Sequence, residues 1–127
     1  MDFKGKYLSL TTFRRDGTPV ATPVWFVAEN GQLLVETDAD SYKVKRIRRN
    51  ADVEIAVCTA TGTLLGEKVP ARVVLLPEGE RARVERLMAR KYRVDRVLVL
   101  PIYRLYQRLR GTAPRGGNPV VLSITPN

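Results

Sequence analysis

The residues best suited to chemistry lie in the segment DADSYKVKRIRRN, which spans residues 38–50. Apolar Val44 and Ile47 stand among basic residues at helical spacing, which predicts a short basic helix over Ser41–Asn50. Either Ser41 or Asp40 is suited to cap the start of this helix. Free backbone N–H groups and the positive end of the helix dipole attract phosphate at such a terminus.

Two lysines, Lys43 and Lys45, fall in the first turn of the predicted helix. Cations at that end oppose the helix dipole and weaken the helix. Their placement therefore predicts that an anion binds nearby and offsets the cost. The alternative interpretation is a solvated basic helix without a ligand.

Three predicted strands precede the helix, and turns at Asp16-Gly17 and at Glu29-Asn30-Gly31 separate them. They are Tyr7–Arg14, Thr18–Val27 and Gln32–Thr37. Each combines β-branched or aromatic residues with alternating apolar positions, which is typical of strands with one buried face.

The strand Thr18–Val27 contains the second candidate region, Pro23 to Phe26. Pro23 cannot donate to a ladder, so this strand must have an edge or a bulge there, and free backbone groups can bond a flat heterocycle. Trp25 alternates with Val24 and Phe26 and is expected on the opposite face. There it would serve as a subunit contact, a ligand platform or part of a second packed face.

The residue pattern in the rest of the chain predicts three more strands and two helical segments. The strands are Val53–Thr59, Lys68–Leu76 and Pro119–Ile124, with a loop over residues 60–66. A helix starts near Pro77 and has an apolar face of Val84, Leu87, Met88 and Tyr92. Apolar Val94–Leu100 and a helical turn opened by Pro101 follow, where Tyr103 and Tyr106 would line a substrate pocket or simply pack.

Length and composition predict a single domain over residues 1–127, mainly β with flanking helices. No run of about 18 apolar residues occurs, so we expect no membrane span. The first residues lack a signal-peptide core, and the single cysteine, Cys58, cannot form an internal disulfide. These features favour a cytoplasmic protein.

Charge and residue type restrict the possible functions. The chain has 22 basic and 13 acidic residues, a net charge of +9, which favours a polyanionic partner or a solvated basic face. It has no histidine, which removes Ser-His and Cys-His catalysis and the commonest metal ligand. We therefore predict neither a catalytic side chain nor a metal site.

The order and spacing of several motifs resemble those of a known family. These are Lys6-Tyr7, Leu10-Thr11-Thr12, Arg14-Arg15-Asp16-Gly17, Pro19-Val20, Thr22-Pro23-Val24-Trp25-Phe26, Thr37, Lys43-Val44-Lys45-Arg46 and Arg49-Asn50. In them the chain resembles the branch of the pyridoxamine 5'-phosphate oxidase-like flavoproteins that uses the deazaflavin coenzyme F420. The likeness is close over the first half of the chain and looser beyond it.

The resemblance implies a split β-barrel of the FMN-binding, pyridoxamine-phosphate-oxidase-like type, and a homodimer with the deazaflavin at the subunit interface. It implies an F420-dependent oxidoreductase that passes hydride to or from an unsaturated small-molecule substrate. By the same resemblance, the ring lies along Pro23, Val24, Trp25 and Phe26. Lys43 binds the phosphodiester, with assistance from the other expected contacts, Thr37, Ser41, Val44 and Lys45.

Two alternatives remain at this stage. The same fold can bind FMN, which also ends in phosphate, so the basic helix does not separate the two cofactors. A non-catalytic basic module for nucleic acid or another anion would explain the charge and the KVKRIRR run. We expect no nucleic-acid partner, because no base-stacking sheet surface or helix-turn-helix pattern is evident.

Overall fold

The structure is a computed structural model, and it describes residues 3–93 and 118–127. Within them the chain forms seven strands, two α-helices and a single 3-10 turn at Glu78–Glu80. The strands are β1 (Tyr7–Phe13), β2 (Pro19–Val24), β3 (Val27–Glu29), β4 (Gln32–Asp38), β5 (Asp52–Cys58), β6 (Val69–Leu75) and β7 (Pro119–Pro126); the helices are α1 (Tyr42–Arg49) and α2 (Arg81–Lys91). The predicted mainly β architecture with flanking helices is confirmed.

All seven strands join one antiparallel sheet in the order β2-β1-β5-β6-β7-β4-β3. Strands β2 and β3 are consecutive in sequence, yet they form the two opposite edges. Only Trp25 and Phe26 separate them, so the sheet must curl until its edges come close together. The prediction of one continuous strand over Thr18–Val27 was wrong at this point, because the chain changes pairing partner there.

Turn chemistry fixes the register of the hairpins. Asn30 and Gly31 both have positive φ, of 51° and 78°, and connect the paired residues Glu29 and Gln32, as the Asn-Gly sequence predicts. In the first hairpin, Asp16 Oδ1 accepts a hydrogen bond from the N–H of Thr18 at 2.9 Å. The β1–β2 pairing then runs from Phe13–Pro19 to Leu8–Val24.

The inside of the curled sheet holds the main hydrophobic core. Alternate residues of the strands point inward, as the period of two requires. Ile47 of α1 joins this cluster, so the basic helix packs its apolar side against the barrel interior. The buried members are Leu8, Leu10, Phe26, Leu33, Val35, Ile47, Val53, Ile55, Ala71, Val73, Leu122 and Ile124.

A second cluster lies between α2 and strands β3, β4 and β7. Val84 and Met88 of α2, with Tyr92 directly after it, are buried there against Val27, Leu34 and Val121. Trp25 and Leu87 pack at the margin of this cluster. The predicted apolar face of this helix is therefore confirmed. It covers the sheet on the side opposite the main core.

Several predicted features fall on residues outside the described ranges. They are the apolar segment Val94–Leu100, the turn opened by Pro101, and the candidate pocket residues Tyr103 and Tyr106. Among the described residues, no helix combines the length and apolar character needed to cross a membrane.

Candidate functional site

The first turn of α1 has the cap that the sequence predicts. Ser41 adopts an extended backbone, with φ −68° and ψ 152°, and its Oγ accepts from the N–H of Val44 at 3.4 Å. Asp40, the alternative cap, instead donates its N–H to Asp38 Oδ1 at 2.9 Å. No acidic residue occupies the first turn. The positive end of the helix dipole therefore has no carboxylate of its own to offset it.

Lys43 reaches back from this turn to the end of strand β4. Its Nζ donates to Thr37 Oγ1 at 3.4 Å, which unites two of the residues in the predicted phosphate site. Partial burial lowers the pKa of Lys43, nearby Arg46 lowers it further, and Asp38 acts in the opposite direction. An ammonium held in this way gains more from a bound anion than a fully solvated one does.

Val44 and Lys45 have surroundings different from those of Lys43, and their contact with a cofactor remains a prediction. The side chain of Val44 is fully buried, and its N–H already donates to Ser41, so Val44 supports the helix and offers a ligand no side-chain contact. Lys45 lies on the outer face of α1, with its Nζ 5.4 Å from the ring centroid of Tyr42. Neither is in hydrogen-bond contact with Lys43 or Thr37 in the described structure.

At the other candidate region, Pro23 lies on an edge strand, as its missing N–H predicts. It is exposed and opposite Ser9 in β1, and among the seven described strands β2 pairs only with β1. Val24, the next residue, packs against the main core. Of the predicted ring-binding segment, Pro23 thus has the most accessible position.

Phe26 has no free backbone group. Its N–H donates to the Tyr92 hydroxyl at 3.0 Å, and that hydroxyl faces the carbonyls of Lys6 at 2.6 Å and Phe26 at 2.9 Å. Lys91 Nζ also donates to the Phe26 carbonyl at 2.7 Å and lies 3.6 Å from its ring centroid. The backbone of Phe26 is therefore not among the groups open to a heterocycle, and a contact of Phe26 with the ring remains a prediction.

Trp25 lies on the face opposite Val24 and Phe26, as the alternation predicts. Its ring stacks on Tyr92, and it is partly buried in the second cluster. This arrangement matches the third possibility considered for Trp25, a second packed face. A contact of Trp25 with a cofactor or a partner subunit remains a prediction.

The structure brings some of the predicted residues together and leaves others apart. Ser41, Thr37 and Lys43 form one group, whereas Pro23 to Phe26 form another. The two connect through the sheet: Val27 pairs with Leu34, and Thr37 follows three residues later along β4, roughly 10 Å away. No described side-chain contact joins the two groups.

Two arginines of α1 that the predicted site does not include connect the helix to the end of β1. Arg46 Nε donates to Thr12 Oγ1 at 2.7 Å, and an Arg49 guanidinium nitrogen donates to the Phe13 carbonyl at 2.8 Å. The pKa of Arg46 is lowered by partial burial and by the nearby charges of Arg14 and Arg49. The three-residue spacing of Arg46 and Arg49 could have indicated that they share one face of the helix. Their contacts with β1 could be identified only from the folded structure.

Comparison with known proteins now identifies the family. The profile described as "Pyridoxamine 5'-phosphate oxidase" matches residues 4–126. The chain belongs to this family. The curled seven-stranded sheet with its two described helices is accordingly a split barrel of the pyridoxamine-phosphate-oxidase-like type. No protein of curated function matches the chain.

Solved structures of the family share this fold at low sequence identity. An F420 reductase aligns with a TM-score of 0.60 and 18% identity, over 96% of this chain and 86% of the reductase. An FMN-binding, pyridoxamine 5'-phosphate oxidase-related protein from Nostoc punctiforme aligns with a TM-score of 0.54 and 17% identity, over 95% and 70% of the two chains. A FAD-binding protein from Mesorhizobium loti aligns with a TM-score of 0.57 and 14% identity, over 96% and 82%.

Proposed function

We propose that this chain is an oxidoreductase that binds coenzyme F420 at a homodimer interface. It would transfer hydride to or from an unsaturated small-molecule substrate. The observation that carries the proposal is the Lys43–Thr37 contact at the capped start of α1. Family membership and the similarity to an F420 reductase support it. The domain would span residues 1–127 and act in the cytoplasm.

The donor set at α1 suits a phosphodiester. Lys43 supplies an ammonium, Thr37 a hydroxyl, and the N–H groups of Tyr42 and Lys43 lie at a helix start, where no intrahelical carbonyl can accept from them. Together these groups can surround a tetrahedral anion from several sides. In the unliganded protein, two lysines in the first turn oppose the dipole, and a bound phosphate removes that opposition.

The bound deazaflavin would supply the hydride-accepting or hydride-donating ring carbon. The chain's own part would be binding and orientation. Lys43 and Thr37 would fix the phosphate end, and exposed Pro23 with the adjoining edge strand would flank the ring. The chain has no histidine, so positioning rather than a histidine acid or base is the role expected of it.

FMN is the alternative cofactor, since one of the solved relatives is described as FMN-binding. Both cofactors carry phosphate, so the donor set at α1 accommodates either. Absorbance titration of the purified chain with F420, FMN and FAD separates them. We expect the tightest binding and a shifted spectrum with F420. Tighter binding of FMN would identify FMN as the cofactor in place of F420, and binding of none of the three would reject the proposal.

Lys43→Ala tests the phosphate site directly. We expect a loss of about 1–3 kcal/mol in cofactor affinity, or roughly 5- to 150-fold, the cost of losing a charge-assisted hydrogen bond. Arg72→Ala is the matched control: it also removes one positive charge, but Arg72 is exposed on β6, where it pairs with Asp52 at 3.0 Å. Equal affinities of the two variants would remove Lys43 from the site.

Two further measurements test the assembly and the reaction. Light scattering of the purified protein should give the mass of a dimer, and a monomer would reject the interfacial site. Reduced F420 mixed with a panel of enones and quinones should be oxidised faster with the protein than without it. A protein that binds F420 but oxidises it with no member of the panel would be a cofactor carrier.

A further inference from the structure

A basic depression lies on the outer side of α1, away from the Lys43–Thr37 contact. It has a volume of about 470 Å³. Five cations and one aromatic side chain line it, and no carboxylate does: Arg14, Arg15, Tyr42, Lys45, Arg46 and Arg49. Within residues 3–93 and 118–127, none of these five cations forms an ion pair.

Four of these residues are placed on one face of α1 by their spacing in the sequence. Tyr42, Lys45, Arg46 and Arg49 recur at i, i+3, i+4 and i+7, so they share one face of α1. The opposite face carries Val44 and Ile47, both buried. The first hairpin adds Arg14 and Arg15 from the turn that follows β1, so cations from a helix and a turn lie on one surface.

Two of the arginines are held in place by the sheet. Arg46 donates to Thr12 and Arg49 to the Phe13 carbonyl, and these acceptors are neighbours at the end of β1. The guanidiniums are therefore kept beside one another although their charges repel. Pre-ordered cations lose less conformational entropy when they bind an anion than freely moving ones do.

Tyr42 supplies an aromatic surface at this depression. It is 76% exposed, so most of its side chain is open to a ligand. Lys45 lies 5.4 Å from its ring centroid and adds positive charge beside the ring. An exposed ring within a line of cations is the combination by which proteins bind unpaired bases and the backbone that joins them.

Contrary to the expectation from the sequence, we propose that this depression binds single-stranded nucleic acid, with phosphates on the arginines and a base stacked on Tyr42. The depression is open and Tyr42 is largely exposed, so it would stack one base without enclosing a free nucleotide. Its cations are spread over a helix face and a hairpin, which suits several phosphates in a row. A membrane surface would not need the ordered Arg46 and Arg49. Tyr42 and Lys45 also belong to the proposed cofactor site, through the Tyr42 N–H and the expected Lys45 contact, whereas the four arginines do not.

The test is fluorescence anisotropy with a labelled twelve-nucleotide thymidine strand at several salt concentrations. For single strands, the logarithm of affinity falls with the logarithm of salt by about 0.7 for each phosphate neutralised. The double variant Arg14→Ala/Arg15→Ala should bind more weakly, with a slope smaller by roughly 1.4 if both arginines contact phosphate. Both side chains are exposed, so folding should be preserved.

Tyr42→Ala should weaken binding roughly 5- to 150-fold without changing the slope, the range for loss of one stacked base, whereas Tyr42→Phe should keep it. Arg48→Ala is the matched charge control, since Arg48 is exposed on α1 but does not line the depression. A strand affinity that falls equally in Arg48→Ala and the double variant would reject the site. Displacement of the strand from the protein by ATP at equimolar concentration would also reject the site. So would a lower affinity of the protein for the strand than for phosphatidylserine vesicles.

Discussion

The aromatic rings of Trp25 and Tyr92 lie parallel, with their centroids 4.4 Å apart and an interplanar angle of 6°. Trp25 belongs to the two-residue link between the edge strands β2 and β3, and Tyr92 directly follows α2. The stack therefore fastens the second helix to the place where the chain crosses from one edge of the sheet to the other. The hydroxyl of Tyr92 bonds the next residue of the same link, Phe26.

Tyr92→Phe should lower the free energy of unfolding by about 1–3 kcal/mol. The change keeps the ring and its stacking but removes the hydroxyl that accepts from the buried Phe26 N–H and contacts the Lys6 carbonyl. Urea unfolding followed by circular dichroism measures the loss. Tyr42→Phe removes a hydroxyl from an exposed ring and should change stability by less than about 0.5 kcal/mol. Equal midpoints for the two variants would contradict the role of the Tyr92 hydroxyl.

Trp25→Ala should cost roughly 2–3 kcal/mol of stability, because it removes a large ring from the second cluster and ends the stack. Trp25→Phe should recover part of that loss. If Trp25 also lies at the subunit interface, Trp25→Ala should in addition raise the dimer dissociation constant, as light scattering over a dilution series would measure. Unchanged dimer mass with reduced stability would restrict Trp25 to packing within one subunit.

Local signals in the sequence predicted most of the fold. The Asn30-Gly31 turn, the Ser41 cap and the apolar face of α2 depend on neighbours within a few residues, and each is confirmed. The break at Trp25-Phe26 could not be predicted in this way. Alternation continues through it, and only the closure of the whole sheet assigns Pro19–Val24 and Val27–Glu29 to opposite edges.

The candidate site shows the same division between local and long-range information. The hydrogen bond between Lys43 and Thr37 spans six residues, and the resemblance had assigned both residues to one cofactor site. The hydrogen bonds that join Tyr92 and Lys91 to Phe26 span 66 and 65 residues, and the sequence around Phe26 does not predict them. The bond from Arg46 to Thr12 likewise links residues 34 positions apart. Such contacts depend on topology, which a periodic pattern does not contain.

Lys43→Met should stabilise the unliganded protein while it weakens cofactor binding. Burial lowers the pKa of Lys43 because it disfavours the charged amine, and an uncharged side chain of similar length removes that cost. Stabilising single substitutions commonly contribute about 0.5–2 kcal/mol, and we expect a gain within that range. The pKa of Lys43 is lower in the folded chain than in the unfolded one. Wild-type stability should therefore rise as pH increases from that lowered pKa towards 10.5, and the advantage of the variant should shrink. A variant less stable than wild type at neutral pH would show that Lys43 stabilises the fold without any ligand.

Inorganic phosphate should raise the melting temperature more than chloride does at equal ionic strength. Both salts screen repulsion among the α1 cations, but only phosphate can occupy the site formed by Thr37, Lys43 and the helix start. At ten times its dissociation constant, phosphate would contribute about 1.4 kcal/mol, or roughly 3–6 °C. The effect should decline as pH rises through the lowered pKa of Lys43, because the ammonium then loses its charge. Lys43→Ala should abolish most of the difference between the salts, while Arg72→Ala should retain it. A phosphate effect that persists in Lys43→Ala would locate the anion elsewhere on the protein.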